Sequence, residues 1–201
     1  MDLNPGYDIL GKVSEATFHM HMHRRHVNED FGESFRAKQI ICKKWLAEEL
    51  SRFGTGWGRV LVLGSWNSIL LYELMSRYGK IGHWTFVDIN PRVHADRDIY
   101  FEVNGMQKNY ISLEMDATDF SDHESFDLII NCSCEHMKDI PAEYGPLYVL
   151  QSNDYTNVKE HINCVKSAKE LSEKNNITEV LFGSHLNMGH YKRFMTIGYF
   201  V

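Results

Sequence analysis

The stretch RVLVLGS at residues 59–65 opens a series of four apolar runs that decides the fold. The later runs are WTFVD at 84–88, ISLEMD at 111–116 and DLIINC at 127–132. Each run is short enough for a single strand and ends at or beside a glycine or a polar residue. Such runs predict parallel strands buried on both faces. Polar residues at their carboxyl ends predict a ligand site along one edge of the sheet.

The rest of the chain supplies the helices and strands that such a sheet needs. Residues 69–78 (ILLYELMSRY) have helical spacing of their apolar side chains, and Ser68 is the expected N-cap. The link at 184–192 is too short for a helical crossover, so the last two strands are expected to pair antiparallel. The further predicted elements are a helix at 92–104 opened by Pro91, a strand at 147–151, a helix at 157–174, and strands at 178–183 and 193–200.

Residues 1–58 precede the first strand and are expected to form a cap or lid. An amphipathic helix is predicted over 34–53, with Ser34 as its N-cap. Before it, residues 18–26 read FHMHMHRRH. Alternation places three of these histidines, among them His21, on one side of an extended segment. We expect His21 to contact substrate at the mouth of a pocket; metal binding and a solvated segment without a role remain open alternatives.

Size, composition and charge limit the class of protein. The 201 residues suffice for one well-cored domain, and the net charge of −6 makes an extended nucleic-acid partner unexpected. The four cysteines do not form a secreted-style framework, the N-terminal residues lack an apolar signal core, and no run reaches the ~20 apolar residues of a membrane span. These features favour a cytoplasmic protein without a membrane partner. They do not specify an oligomeric state.

The order of these strands, with Gly64, Asp88 and Asp116 at their carboxyl ends, resembles the class I S-adenosylmethionine-dependent methyltransferases. The resemblance covers residues 59–201. It implies an α/β fold with a Rossmann-like doubly wound sheet of seven strands, closed by an antiparallel hairpin and preceded by the helical, histidine-rich cap. It also implies that 59–201 is a domain that binds S-adenosyl-L-methionine.

The resemblance assigns the cofactor site residue by residue. Asp88 would bind the ribose hydroxyls, Ile89 would pack on adenine, and Asp116 would meet its exocyclic amine. The full predicted set is Gly64, Ser65, Trp66, Asp88, Ile89, Asp116, Ala117, Asn131 and Cys132. The loop after the first strand departs from the family pattern because it has one glycine where the family has several. Trp66 would either crowd the pocket or cap it.

Two Glu-His pairs follow the fourth and fifth strands. A neutral histidine can remove a proton from an attacking group, so His136 and His161 are predicted catalytic residues, with Glu135 orienting the base. Each pair can equally belong to a helix start or an Asx turn. The polar residues around the second pair predict substrate contacts at Gln151, Asn153 and Tyr155.

A metal at the same place is weighed and not expected. Some members of the family hold a divalent metal with a Glu-x-x-Glu-His arrangement, and here Cys132 stands where the first glutamate would be. Zinc would tolerate such a cysteine better than magnesium. In the final hairpin, Arg193 is expected to form a salt bridge with a carboxylate rather than to bind substrate.

The resemblance therefore implies a methyltransferase for a small molecule or an exposed terminal group, with a pocket histidine removing the proton. Residues 131–134 (NCSC) lack the Asn/Asp-Pro-Pro-aromatic motif of the groups that methylate adenine or glutamine amino nitrogens. Two alternatives stay open. The altered loop would suit transfer of the cofactor's aminocarboxypropyl arm, or the chain is a non-catalytic Rossmann-like binding module.

Overall fold

Seven strands form one sheet in the computed structural model, which describes residues 12, 14, 29–106 and 109–201. They are β1 Gly56–Leu63, β2 Lys80–Asp88, β3 Tyr110–Glu114, β4 Leu128–Asn131, β5 Leu147–Asn153, β6 Glu179–Asn187 and β7 Lys192–Tyr199. Their order across the sheet is β3-β2-β1-β4-β5-β7-β6. β1 to β5 pair in parallel, whereas β7 is antiparallel to β5 and β6. The predicted seven-stranded sheet with a terminal antiparallel hairpin is confirmed.

The helices that follow Asn67, Asn90 and Ser167 begin where that side chain accepts a hydrogen bond from one of the first backbone N–H groups. The α-helices are α1 Ala37–Leu50, α2 Ile69–Tyr78, α3 Pro91–Val103 and α4 Ala168–Lys174. Asn90 caps α3, since its Oδ1 accepts a hydrogen bond from the N–H of Arg92 at 3.0 Å. Pro91 follows at the first helical position, where its missing N–H and fixed φ favour a start.

Neither serine predicted as an N-cap performs that function. Ser34 lies in a 3-10 turn at Glu29–Phe35, and its hydroxyl donates to the Phe31 carbonyl at 2.6 Å. At α2, the N–H of Ile69 bonds at 3.2 Å to Oδ1 of Asn67, while Ser68 has a left-handed backbone.

The helix predicted at 157–174 is wrong over its first eleven residues, since the structure has a helix only at Ala168–Lys174. The N–H of Asn163 bonds to the Glu135 carbonyl at 3.0 Å, and the N–H of Val165 bonds to the Asn153 carbonyl at 3.0 Å. These long-range bonds use donors that a continuous helix would need. Residues 157–167 therefore form a loop that is fastened to the ends of β4 and β5.

Alternate residues of each central strand pack into two cores, one on each face of the sheet. Val60 and Val62 lie in the core beneath α1, α2 and α3, whereas Leu61 and Leu63 lie in the core covered by α4. Leu46 of α1 is in the first core, so this helix packs onto the sheet. Because both faces are covered, the open edge at the strand ends is the natural place for a ligand.

The histidine-rich stretch at 18–26, with the predicted substrate contact His21, lies outside the described residues, so its role as a lid stays a prediction. None of the described helices has both the length and the apolar character needed to cross a bilayer.

Candidate active site

A cleft of about 870 Å³ opens at the carboxyl ends of the parallel strands. This volume is in the range of small-molecule and cofactor sites. The parallel register brings the ends of β1, β2 and β3 side by side, so residues far apart in sequence meet there. The cleft is lined by predicted cofactor residues and by the predicted base, namely Gly64, Trp66, Asp88, Ile89, Asp116, Ala117 and His136.

The loop after β1 turns at Gly64, where the backbone conformation favours glycine. Gly64 has φ +56°, and a Cβ added to it would lie 2.4 Å from Cε of Met137. The Met137 side chain therefore lies directly over Gly64, and its sulfur accepts a hydrogen bond from the Asn131 amide at 3.2 Å. Met137 was not among the predicted site residues.

Two further residues of this loop have left-handed backbones although they are not glycines. Trp66 has φ 49° and Ser68 has φ 50°. Such a conformation costs on the order of 1 kcal/mol for each residue with a side chain, so neighbouring contacts must fix it. One of these contacts is the hydrogen bond from the N–H of Trp66 to Oδ2 of Asp88, at 2.7 Å.

The second support of the loop is Arg97 of α3, which is fully buried. Its guanidinium donates to the carbonyl oxygens of Trp66 at 3.3 Å and of Asn67 at 3.4 Å. It also donates to the Ser112 hydroxyl at 2.6 Å and lies 4.1 Å from the ring centre of Phe86. Burial lowers the pKa of Arg97 to about 10, which leaves it charged at neutral pH.

His94 connects this buried cation to the end of β2. Its Nδ1 accepts a hydrogen bond from Arg97 at 2.6 Å, so its Nε2 carries the proton and donates to the Asp88 carbonyl at 3.1 Å. Burial, and then the charge of Arg97, lower the pKa of His94. This pair was not predicted from the sequence. The pattern that could have indicated it is the presence of two basic residues, His94 and Arg97, on the largely buried helix at 92–104.

The Asp88 carboxylate is positioned by the backbone and retains acceptor capacity. Oδ2 bonds to the Trp66 N–H, and Oδ1 bonds to the Asn90 N–H at 2.9 Å. A carboxylate offers about four acceptor positions, so each oxygen keeps one for a ligand. Beside it, the apolar side chain of Ile89 is 68% exposed. An apolar surface next to a bidentate acceptor suits a nucleoside.

Asp116 marks the far side of the cleft. Its Oδ1 accepts hydrogen bonds from the backbone N–H of Thr118 at 2.9 Å and from the Thr118 hydroxyl at 2.7 Å. These two bonds lower the pKa of Asp116. Asp116 thus caps the 3-10 turn Ala117–Asp119 and lines the cleft at the same time.

Three predicted cofactor residues have side chains beneath the cleft rather than in it. Ser65 and Cys132 line a separate cavity of about 30 Å³ under the loop. Asn131 is 2% exposed, and its Oδ1 accepts the N–H of Ser133 at 2.9 Å. The structure therefore does not bring these side chains together with Asp88, although their backbone carries the loop that borders the cleft.

Glu135 lies in a buried network and does not stand free to orient a base. Its Oε1 accepts hydrogen bonds from Arg193 and, at 2.7 Å, from the Asn153 amide. Arg193 also donates to the Cys132 carbonyl. Burial acts to lower the pKa of Arg193, but the Glu135 carboxylate outweighs it and raises that pKa. The predicted salt bridge of Arg193 is confirmed, and the predicted role of Glu135 is corrected to that of its partner.

The two predicted histidines lie together although 25 residues separate them. The ring centres of His136 and His161 are 4.6 Å apart. Nδ1 of His161 donates to the Tyr155 carbonyl at 2.5 Å. His136 lines the cleft, and partial burial, aided by His161 and Arg193, lowers its pKa against the opposing charge of Glu135. His136 is therefore neutral at physiological pH.

The predicted substrate contacts differ in their placement. Gln151 is fully buried, and its amide donates to the Cys42 carbonyl at 3.2 Å, so its prediction is corrected to a packing role against α1. Asn153 is also buried, with its amide committed to Glu135. Tyr155 is partly exposed, and its ring contacts those of His161, His190 and Tyr191.

Comparison with solved structures identifies the fold. The N-methyltransferase NodS from Bradyrhizobium japonicum WM9, in complex with S-adenosyl-L-homocysteine, superposes with a TM-score of 0.63 at 11% identity, over 98% of this chain and 99% of that one. Geranyl diphosphate methyltransferase in complex with S-adenosylmethionine superposes with a TM-score of 0.59 at 10% identity, over 81% of this chain and 86% of that one. A putative sarcosine dimethylglycine methyltransferase from Galdieria sulphuraria superposes with a TM-score of 0.57 at 15% identity, over 86% of this chain and 77% of that one.

No protein-family model and no curated sequence matches the chain. The likeness therefore rests on the three-dimensional arrangement, namely the strand order, the antiparallel hairpin and nearly the full length of NodS. The chain has the fold of the class I S-adenosylmethionine-dependent methyltransferases.

Proposed function

We propose that this chain transfers a methyl group from S-adenosyl-L-methionine to a small molecule or to an exposed terminal group. The observation that carries the proposal is one cleft with the Asp88 carboxylate and exposed Ile89 on one side and neutral His136 on the other. The first pair suits a nucleoside, and the second group suits an acceptor that must lose a proton.

The residues present fit the cofactor. Asp88 would hold the ribose with the acceptor positions that the Trp66 and Asn90 N–H groups leave available. Ile89 would cover adenine, and Asp116 would accept from its exocyclic amine. The methionine arm would lie over Gly64, which requires the flexible Met137 side chain to move aside.

The cofactor supplies a methyl group on a positively charged sulfur. This chain's contribution is to hold the acceptor in line with that methyl group and to take up the proton the acceptor loses. His136 and His161 are the proposed bases, because His136 lines the cleft and the adjacent His161 imidazole is fixed by a hydrogen bond to the Tyr155 carbonyl. The buried Glu135–Arg193 pair lies beneath them and fixes the loop that carries His136.

Product analysis tests the proposal. The protein is incubated with methyl-labelled cofactor and a panel of small amines, hydroxyl compounds, thiols and terminal-group acceptors, and the products are separated by chromatography. We expect S-adenosylhomocysteine to accumulate with a labelled acceptor. His136→Ala and His161→Ala should slow the transfer by about 10²–10⁴-fold, the usual contribution of a general base.

His185→Ala is the matched control because His185 is an exposed residue on β6 that is not part of the cleft lining. Methylthioadenosine in place of S-adenosylhomocysteine would instead establish aminocarboxypropyl transfer. Cofactor binding without any product across the panel would favour the non-catalytic module.

A further inference from the structure

Three polar side chains at the end of the cleft that His136 lines have atoms close enough together to bind one metal ion. One carboxylate oxygen of Glu135 and one ring nitrogen each of His136 and His161 all lie within 4.8 Å of one another. Among the described residues, these three form the group of histidine, cysteine or acidic side chains whose potential ligand atoms lie this close together. The three residues come from two separate loops, so the fold, not the local sequence, assembles them.

Each member of this triad keeps an unused lone pair. Nδ1 of His161 is protonated because it donates to the Tyr155 carbonyl, which leaves Nε2 as a free acceptor. The His136 ring lies beside that of His161 at the cleft, with one ring nitrogen within 4.8 Å of the other two ligand atoms. Oε2 of Glu135 is buried and has no hydrogen-bond partner among the described residues. A buried carboxylate oxygen without a partner is costly, which indicates that a ligand completes it.

The surroundings also resemble the outer shell of a metal site. Histidine ligands of metals typically donate their second nitrogen to a carbonyl or carboxylate, and ligating carboxylates are themselves hydrogen-bonded. Here the His161 imidazole donates to a backbone carbonyl, while Arg193 and Asn153 hold Oε1 of Glu135. These contacts orient Glu135 and His161 before any ion binds.

We propose that Glu135, His136 and His161 bind a divalent transition-metal ion, and that the bound ion inhibits methyl transfer because it occupies the imidazole lone pairs. Two imidazoles and one carboxylate suit zinc or cobalt, whereas magnesium and calcium prefer a full oxygen set. Ligands of tetrahedral zinc lie about 3.3 Å apart at bond lengths of about 2.0 Å, so any pair of these atoms that is further apart, up to 4.8 Å, closes on binding. His136 can move because it is exposed at the rim of the cleft.

The binding part of this inference stands independently of the cofactor, and the inhibition part rests on the proposed function. Binding is therefore measured first, with metal alone. The protein used is the full chain carrying His19→Ala, His21→Ala and His23→Ala, because these lead-in histidines would otherwise add their own chelating groups. Zn²⁺ is titrated by calorimetry, and Co²⁺ is followed by its visible absorption.

We expect one ion per chain, with d–d absorption bands of cobalt in a site of low symmetry. His161→Ala and His136→Ala should each weaken binding at least about tenfold, since each removes a ligand. His185→Ala should leave binding unchanged. Circular dichroism of each variant shows that loss of binding is not loss of folding. Glu135 is not substituted in this test, because it also holds the buried Arg193.

Two results would overturn the inference: no saturable binding of either ion, or unchanged affinity in both histidine variants. For the inhibition part, the acceptor screen is run with a chelator and again with zinc. If the protein turns over an acceptor in the presence of the chelator and zinc abolishes this turnover, the inhibition is supported. If zinc leaves the turnover unchanged, the inhibition is contradicted. If zinc binds but no acceptor is ever turned over, the metal site stands and the proposed transfer fails.

Discussion

The guanidinium of Arg97 donates a hydrogen bond to the carbonyl oxygen of Trp66 at 3.3 Å, across 31 residues of sequence. This contact fixes a loop whose backbone is left-handed at a tryptophan, a conformation that glycine adopts more readily. The loop in turn holds Asp88 through the Trp66 N–H. Arg97 is therefore placed to control the proposed cofactor side of the cleft through the loop, from beneath it.

Arg97→Lys should loosen this loop. A lysine keeps the charge but cannot reach two carbonyls and a hydroxyl at once. We expect cofactor affinity to fall by about 5- to 30-fold, corresponding to about 1–2 kcal/mol, measured by calorimetry. Arg92→Lys, an exposed position on the same helix, is the control. Equal affinities of the two variants would remove Arg97 from this role.

Protonation of His94 should make stability depend on pH. Its pKa is lowered in the folded protein, mainly by burial and then by Arg97, while Asp88 and Asp98 oppose the shift. The unfolded chain therefore binds more protons below pH ~6.5, so stability is full above that value and falls as pH decreases. The slope is at most about 1.4 kcal/mol per pH unit for one proton.

Urea unfolding between pH 7.5 and 5.0 measures this slope, and His94→Gln should flatten it in part. It should not abolish it, because the pKa values of His123 and His136 are lowered as well. An unchanged slope in His94→Gln would show that the proton is taken up elsewhere.

Met137 should compete with the methionine arm of the cofactor. Its Cε lies over Gly64, within 2.4 Å of where a Cβ would be. Met137→Ala should tighten cofactor binding by about fivefold, or about 1 kcal/mol, since one flexible side chain no longer has to be displaced. Adenosine, which lacks the arm, should bind equally to both proteins. Weaker cofactor binding, or an equal change for adenosine, would contradict the competition.

Breaking the Glu135–Arg193 pair should destabilise the fold strongly. Arg193→Met leaves a buried carboxylate without its partner, which costs about 3–5 kcal/mol of unfolding free energy in urea titrations. The double variant Glu135→Gln with Arg193→Met should recover part of this loss. Lys169→Met, which breaks an exposed pair with Glu173, should change stability by less than about 1 kcal/mol. Similar losses of unfolding free energy in the buried-pair and exposed-pair single variants would contradict this prediction.

The sheet was predictable because its information is local. Buried strands read as short apolar runs, and all seven lie within a few residues of the predicted bounds. The position of the cleft could also be predicted, because parallel strands place their carboxyl ends, and with them Gly64, Asp88 and Asp116, at one edge of the sheet. The brevity of the 184–192 link correctly predicted the antiparallel hairpin.

The errors arose where distant residues decide the outcome. The pattern at 157–174 is helical by itself, but the Asn163 and Val165 N–H groups bond to residues on two other segments. Gln151 reads as a polar strand end, yet it is buried against α1, more than 100 residues earlier. Glu135 reads as a free acid until the fold brings Arg193 to it from 58 residues away. No local pattern contains these contacts.

The most direct test of the account is calorimetric titration of the purified protein with S-adenosyl-L-methionine, comparing wild type with Asp88→Ala and with Asp119→Ala as an exposed acidic control. We predict saturable binding to wild type, a loss of about 1.5–3 kcal/mol in Asp88→Ala, and no change in Asp119→Ala. Absence of heat at several temperatures, or equal affinity of Asp88→Ala and wild type, would contradict the assignment of this cleft to the cofactor.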